Sequence, residues 1–315
     1  MRDYIIKRIL LMFPVLFLVS VLVFTLIHLV PGDVVMSMVA DSGQFNPEYI
    51  EKVRHELGLD KPLYTQYLDW SSGLLRGDFG RSLWTGKPVM GEILHRLPIT
   101  LEIAVLAMVI STLLAIIVGV ISATRQDSLV DYIARLVSIG GLSVPEFWIA
   151  TLVVIYLAMI FNYSSPSGYT PLLKDPLGNL QQIGIPAAIM GVRMSAGVMR
   201  MTRSTLLEVL RQDYIRTAWA KGLRESAVIY RHALKNALIP VITIMGTQFG
   251  HLLGGTVIIE SIFMLPGVGR LMLESIQQRD YTQLQGNVLF ISMAFLVINL
   301  LVDLSYAWLD PRIRY

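Results

Sequence analysis

The 315-residue sequence contains no cysteine, and only 16% of its residues are charged. Without cysteine the chain has no disulfides, no thiolate metal sites, no iron–sulfur clusters and no thiol nucleophile. Its charged fraction is well below the value of about 25% that is typical of soluble domains. In contrast, 54% of the residues are hydrophobic. This composition excludes an intrinsically disordered chain and indicates a membrane protein.

Several catalytic motifs are also missing. The dipeptide Gly86-Lys87 is followed by Pro88 and lacks the glycine spacing of a phosphate-binding loop. His55-Glu56 has Leu59 where a zinc protease needs its second histidine, and no Gly-x-Ser-x-Gly sequence occurs. The five histidines show no metal-ligand spacing. We therefore expect that the chain is not an enzyme and binds no cofactor or metal.

Six apolar stretches are long enough, or nearly long enough, to cross about 30 Å of hydrocarbon as helices. They are residues 9–30, 99–124, 136–161, 183–199, 239–259 and 286–309. The third stretch is interrupted by Gly140-Gly141 and Pro145-Glu146, and the fourth is short and contains Arg193. The sequence predicts an all-α polytopic membrane protein with six transmembrane helices.

The distribution of Lys and Arg predicts the orientation of these helices. The segments 1–8, 125–135, 200–238 and 310–315 contain 15 Lys and Arg residues, whereas the longer segments on the other side contain 10. Basic residues concentrate on the cytoplasmic side, so we expect both termini to be cytoplasmic. The first apolar stretch exceeds the length of a signal-peptide core, and we interpret it as an uncleaved span.

The spans divide the chain into three regions. Residues 1–30 form the N-terminal tail and first helix, and 31–98 form an extracytoplasmic loop. Residues 99–315 form a five-helix core that includes the cytoplasmic loop 200–238. In the outer loop, Asn46 is a helix cap and Gly58 fits just past the helix end, and an amphipathic stretch follows at 63–70. These patterns predict a small helical extracytoplasmic cap between helices 1 and 2, rather than a mere tether.

The segment 200–238 combines eight basic residues with three acidic ones. Nucleic-acid binding is one interpretation, but a topology signal between two spans explains the charge better, so we expect no nucleic-acid partner. Within this segment Asp213–Lys221 has helical character and ends at Gly222, a residue suited to a left-handed helix end. A further helix leads to Pro240. We call residues 213–234 the elbow, and its pattern indicates a docking element.

Small and polar residues inside the spans suggest further roles. Glycines repeat every four residues in the fifth span, which favours close helix packing within the protein or against a second membrane subunit. These glycines are Gly246, Gly250 and Gly254. Ionisable residues in a membrane often mark a pathway. We expect Glu146, Gln248 and His251 to be the candidate pathway residues, Glu102 and Asp303 to form interhelical or headgroup contacts, and Arg193 to belong to a cytoplasmic helix end.

Segment 213–240, DYIRTAWAKGLRESAVIYRHALKNALIP, resembles the cytoplasmic coupling loop of permeases in ATP-binding-cassette importers. More narrowly, it is similar to the first, B-type permease of dipeptide, oligopeptide and nickel importers. Further matches follow in order along the whole chain. They are Pro31-Gly32-Asp33, LGLDKPLYTQYLDW at 57–70, GDFGRSL at 77–83, RLPITLEIA at 96–104, RMTRSTLLEVL at 200–210, LPGVGRL at 265–271 and NLLVDLSYAWLDPRIR at 299–314.

The general coupling pattern is Glu-Ala-Ala, three residues, Gly, and later Ile-x-Leu-Pro. Ala218 and Gly222 match it, whereas Arg216 and Thr217 replace Glu-Ala, and Lys235 stands where many relatives have Pro. This chain therefore lacks the Glu carboxylate of the general pattern. The resemblance implies that the residues that meet an ATPase are Asp213, Arg216, Thr217, Ala218, Lys221, Gly222, Leu223 and Arg224.

The resemblance also implies the partners of this chain and its location. They are a second, C-type permease, two ATP-binding-cassette ATPase subunits that use ATP and Mg²⁺, an extracytoplasmic substrate-binding protein and the lipid bilayer. The location is the cytoplasmic (inner) membrane of a bacterium or archaeon. Dipeptides or oligopeptides are the expected cargo, and nickel, glutathione and short oligosaccharides are the alternatives.

Other classes of membrane protein remain as alternatives. An ion-coupled secondary transporter would use Glu102, Glu146 or Asp303 as a proton relay and would contain inverted repeats, which the sequence does not display. A membrane enzyme is disfavoured by the missing motifs. A purely structural subunit would not need the broken third span.

Overall fold

The computed structural model describes residues 2–29, 34–36, 39, 46–162 and 168–309, and it omits the side chains of 2–4, 251, 253, 255 and 305–309. The motif Pro31-Gly32-Asp33 and the residues 310–314 of the C-terminal motif lie outside the described residues. The side chain of the predicted pathway residue His251 lies outside them as well.

The described part of the chain is helical, and its one strand-like feature is an isolated antiparallel bridge between Arg81 and Pro88. The helices are α1 (Arg2–Leu29), α2 (Pro47–Glu56), α3 (Leu63–Leu75), α4 (Val89–Thr124), α5 (Leu129–Ser143), α6 (Glu146–Phe161), α7 (Pro176–Leu210), α8 (Asp213–Ala220), a π-helical segment (Ala227–Ala233), α9 (Leu234–Ile262), α10 (Val268–Gln278) and α11 (Tyr281–Leu309). The all-helical fold class is thus confirmed.

Three helices in the described residues are long and apolar enough to cross a membrane, namely Ile5–Leu29, Val89–Thr124 and Tyr281–Leu304. The pair α5 and α6 makes a fourth crossing if it is counted as one span, and the two helices are bent by 95° at the break before Pro145. The predicted fourth and fifth spans lie within α7 and α9, which are outside this set. Six spans and their orientation stay predictions.

Residues divide into two compact units, 1–100 with 266–296 and 101–265 with 297–315. In the first unit, Asn46 caps α2 by accepting a hydrogen bond from the Glu48 backbone N–H at 3.0 Å. Gly58 follows the helix with φ of +66°, a conformation that suits glycine. The apolar face of α2 packs on Val34, Val35 and Val39. The predicted cap residues therefore fold as a helix with its own small core.

A buried carboxylate fastens the loop before α4 to the turn between α10 and α11, within the first unit. Asp280 is 2% exposed and accepts hydrogen bonds from the Ser82 hydroxyl and from the backbone N–H of Leu83 at 3.1 Å. It also accepts from the Gln283 N–H at 3.0 Å, as the cap of α11. Two segments that the sequence predicts to be extracytoplasmic, 31–98 and 260–285, are therefore in contact within the first unit, which includes residues 266–285 of the second segment.

The second unit is organised around α7, which packs on α5, α6 and α9. Twelve of its 35 residues are buried. Glycine allows α4 to approach it closely, since a Cβ on Gly191 would lie 2.7 Å from the Ala107 carbonyl oxygen. Because α7 is enclosed by protein, it tolerates polar residues that a lipid-facing span would not. This burial explains why the predicted fourth span is the least apolar of the six stretches.

An ion-pair network joins α4, α5 and α7. The Asp131 side chain is fully buried and accepts two hydrogen bonds from the Arg203 guanidinium, both at 2.7 Å. It also accepts from the Ser122 hydroxyl at 2.5 Å and from the Asp127 N–H at 3.1 Å. A carboxylate with this many donors is well compensated for the loss of water.

Replacement of Asp131 by Ala is expected to destabilise the protein by about 3–5 kcal/mol, because it leaves the Arg203 charge without its partner in a buried site. The measurement is the melting temperature of the detergent-solubilised protein. Asp69→Ala is the matched control, since Asp69 pairs with Lys61 at 2.8 Å on the surface. An exposed pair contributes at most about 1 kcal/mol. Equal losses of melting temperature in the two variants would contradict this role of Asp131.

Candidate functional site

The elbow begins with α8 and ends that helix in a complete Schellman motif. The Gly222 N–H donates to the Trp219 carbonyl at 2.9 Å, and the Leu223 N–H donates to the Ala218 carbonyl at 3.4 Å. Gly222 has φ of +72°, and a Cβ there would meet nothing within 4 Å. Glycine is therefore favoured here by the left-handed backbone and not by crowding.

The inner face of the elbow is attached to the ends of the core helices. Ile215 and Ala218 are buried at 0% and 6% exposure, and they belong to one apolar cluster with residues of α4, α7 and α9. The other buried members are Val120, Ala123, Leu206, Val228, Ile229, Ala233 and Ala237. Such a shared core makes the elbow part of the helix bundle rather than a loose loop.

The outer face of the elbow carries seven of the eight residues predicted to meet an ATPase, and all seven are exposed. They are Asp213, Arg216, Thr217, Lys221, Gly222, Leu223 and Arg224. Ala218 differs, because it points into the apolar cluster and supports the elbow from inside. Three exposed aromatic residues, Tyr214, Trp219 and Tyr230, were missed by sequence reasoning. The helical spacing of the sequence could have identified them. Ile215 and Ala218 lie on one apolar face of the helix, and residues outside that face point outward.

The sequence predicts a further helix that leads to Pro240, and the structure differs from this expectation. The chain passes through the π-helical segment directly into α9, which continues through Pro240 to Ile262 without a break. Proline removes one backbone donor from a helix but does not end it when packing holds the chain. The elbow is therefore continuous with a core helix at its C-terminal side.

Two of the three predicted pathway residues, Glu146 and Gln248, line the same cavity of about 190 Å³ in the second unit. Arg193 lies there too, and its Nη1 donates to Glu146 Oε2 at 3.2 Å. Sequence reasoning assigned Arg193 to a cytoplasmic helix end and missed this pairing. Glu146 starts α6 at the break where the predicted third span bends, so the break places its carboxylate beside α7.

The glycines of the predicted ridge have different surroundings. A Cβ on Gly246 would lie 2.5 Å from Val302 Cγ2, so this glycine lets α9 pack closely on α11 within the second unit. Gly250 is buried. A Cβ on Gly254 would meet nothing within 4 Å in the described residues. The ridge therefore packs within the protein at Gly246, and its role against a second membrane subunit stays a prediction.

Glu102 has the interhelical role expected of it. Its Oε1 accepts from the Tyr169 hydroxyl and its Oε2 from the Asn179 amide, each at 2.7 Å. Burial and the hydrogen bond to Glu102 raise the pKa of Tyr169 above its usual range, so the phenol stays a donor. Both carboxylate oxygens are engaged, which favours a structural role for Glu102. Among the described residues, no group of three His, Asp or Glu is placed to hold a metal ion.

The chain is similar to known proteins along its whole length. Residues 115–315 match the family described as binding-protein-dependent transport system inner membrane component, and residues 1–104 match the corresponding N-terminal family. A protein of Brucella abortus (strain 2308) that carries the name of a peptide transport system permease is 42% identical over 315 residues, covering 100% of both chains.

Two further relatives and one solved structure extend this similarity. The dipeptide transport system permease protein DppB of Alkalihalophilus pseudofirmus is 37% identical, and the glutathione transport system permease protein GsiC of Escherichia coli (strain K12) is 38% identical, each with 100% coverage of both chains. A crystal structure of an amino acid ABC transporter with histidines matches with a TM-score of 0.51 and 14% identity, covering 71% of this chain and 95% of that chain. The last match concerns the fold alone.

Replacing Gly222 by Val is expected to open the end of α8, because a β-branched residue is strained at positive φ by about 1–2 kcal/mol. The measurement is backbone amide hydrogen exchange, which we expect to be about 5- to 30-fold faster at residues 222 and 223. Gly222→Asn is the matched control, because asparagine tolerates this conformation. Unchanged exchange in Gly222→Val would show that the motif does not depend on glycine.

Proposed function

The chain belongs to the family of binding-protein-dependent transport system inner membrane components, and from this premise we propose that it is the B-type permease of an ATP-driven peptide importer. Relatives that are similar over their full length carry the names of peptide, dipeptide and glutathione transport permeases. These three cargoes share an amide-linked chain of amino acids, which supports di- or oligopeptides as the cargo of this protein. Nickel and oligosaccharides find no parallel among these relatives.

The complex that we propose contains this chain, a second C-type permease, two ATPase subunits and one extracytoplasmic binding protein in the cytoplasmic membrane of a bacterium or archaeon. Among the described residues, nothing lies within 4 Å of a Cβ built on Gly254 of α9, which suits close contact with a helix of the second permease. ATP and Mg²⁺ act on the ATPase subunits, and this chain receives the resulting motion.

The observation that carries the proposal is the geometry of the elbow. Its outer face exposes Tyr214 and Trp219 together with the basic residues Arg216, Lys221 and Arg224. Aromatic and arginine side chains are the residues that most often anchor protein interfaces. Its inner face shares an apolar cluster with α4, α7 and α9. An ATPase that displaces the outer face would therefore move the ends of three core helices.

The predicted extracytoplasmic segments in the first unit suit contact with the binding protein. This unit joins the two predicted outer segments through the hydrogen bonds of Asp280. It also presents a charged network in which Arg96 Nη1 lies 2.8 Å from Glu274 Oε2, and Lys87 Nζ lies 3.0 Å from Glu92 Oε1. A partly exposed, charged surface of this kind favours a transient, electrostatically guided partner.

The proposed translocation path passes Glu146 and Gln248, with His251 on the same helix as Gln248. The shared cavity of the first two side chains supports this route. A secondary transporter that relays protons through Glu102 is less favoured, because both oxygens of that carboxylate already accept hydrogen bonds.

The experiment compares the tagged wild-type protein with a variant whose residues 216–224 are replaced by a Gly/Ser linker of equal length. We expect ATPase subunits and a second permease to be recovered with the wild type from solubilised membranes, and the variant to lose the ATPase subunits. Peptide uptake by membrane vesicles should require ATP in the wild type only. Recovery of the wild-type chain alone, with uptake that continues without ATP, would contradict the proposal.

A further inference from the structure

The cavity at the bend between α5 and α6 contains polar atoms that the described residues leave without a partner. Glu146 Oε2 pairs with Arg193, but Glu146 Oε1 is buried and accepts no hydrogen bond. Arg193 Nε and Gln248 Oε1 are buried and unpaired as well. A buried polar group without a hydrogen-bond partner destabilises the protein, because it has lost its contacts with water and gained none in return. Three such atoms around one cavity therefore favour a ligand that supplies the missing hydrogen bonds.

The three unpaired atoms define the chemistry of that ligand. The oxygens of Glu146 and Gln248 are acceptors, one charged and one neutral, and Arg193 Nε is a donor. The complementary ligand offers a group with several N–H donors, preferably cationic, next to a carbonyl oxygen. The N-terminal end of a peptide has this arrangement, since its α-ammonium group and its first peptide carbonyl are attached to the same Cα. Most of this group is protonated near neutral pH, because its usual pKa is about 7.7–8.0.

The remaining walls of the cavity suit a passing chain of variable sequence. They include Met190 and Met194 of α7 and Leu252 of α9. Methionine is flexible and adapts to different side chains. The volume of about 190 Å³ is suited to the end of a peptide rather than to a long oligomer. The Gln248 amide also faces Gly197, where a Cβ would lie 3.3 Å from Nε2. Because glycine has no side chain, the amide fits in this position without a steric clash.

We infer that this cavity is a transient binding subsite for the N terminus of a transported peptide, an inference that rests on the proposed importer function. The ammonium group donates to Glu146 Oε1 and Gln248 Oε1, and the first peptide carbonyl accepts from Arg193 Nε. Arg193 also offsets the Glu146 charge, which keeps binding weak. A site on a transport path must release its cargo as readily as it takes it.

The natural absence of cysteine makes a direct test simple. Met194→Cys places the chain's one thiol in the cavity wall, and its alkylation by N-ethylmaleimide is followed by the mass of this chain in the assembled complex. The probes are trialanine and N-acetyl-trialanine, which differ in the ammonium group. We expect trialanine to slow alkylation, with N-acetyl-trialanine needing about a tenfold higher concentration for half-protection, the equivalent of about 1.4 kcal/mol.

The cavity side chains are then varied in this background. Gln248→Leu should raise the half-protection concentration of trialanine about tenfold, because one acceptor is lost. Gln181→Leu is the matched control, an identical change at an exposed position of α7. Glu146→Gln should reduce the preference for trialanine over its acetylated form. Equal protection by the two probes overturns the inference, and so does an unchanged half-protection concentration in Gln248→Leu.

ATP-dependent uptake of trialanine by the same preparation distinguishes failure of the proposed subsite from failure of the proposed importer function. Uptake by the Met194→Cys complex without any protection of its thiol overturns the subsite and leaves the importer function intact. Absence of ATP-dependent peptide uptake by the wild-type complex overturns the importer function and the subsite together.

Discussion

The burial of the Asp131 carboxylate fixes the packing of three helices at the centre of the second unit. A charge at this depth is stable only with several donors, and the chain supplies them from Ser122, Asp127 and Arg203. These partners fix α4, α5 and α7 to one another at a single point. The apolar cluster that holds the elbow contains Val120 and Ala123, on either side of Ser122, and Leu206, one turn beyond Arg203. The ion-pair network and the attachment of the elbow are therefore neighbours on the same two helices.

This arrangement gives a physical basis for the proposed coupling between the elbow and separate ATPase subunits. The elbow ends α8 with a left-handed glycine, continues into α9, and shares its core with α4 and α7. The side chains of this core connect the elbow directly to these helices. Helix α9 carries Gln248, and α7 carries Arg193, so two of the helices that hold the elbow also line the cavity. Motion at the proposed docking face would thus change the shape of the proposed peptide subsite.

Much of this structure was predictable from local sequence chemistry. Asn46, Gly58 and Gly222 act within one turn of the chain, so their caps and helix ends follow from residue type alone. The long-range pairs were not predictable in this way. Arg193 pairs with Glu146, which is 47 positions away in the sequence, and Arg203 pairs with Asp131, which is 72 positions away. Such contacts depend on how the helices pack. The burial of α7 depends on the same packing, and it allows this helix to contain polar residues. The family resemblance supplied the proposed role of the elbow but not the inward position of Ala218.

The most direct test of the account attaches a photoreactive maleimide to a single introduced cysteine in the assembled complex. Lys221→Cys lies on the outer face of the elbow, and Lys174→Cys is an exposed lysine replacement in the loop before α7. We predict that light will crosslink the label at 221 to an ATPase subunit, and that the label at 174 will not reach one. ATPase crosslinks from 174 but not from 221 would contradict both the docking role of the elbow and the orientation of the chain.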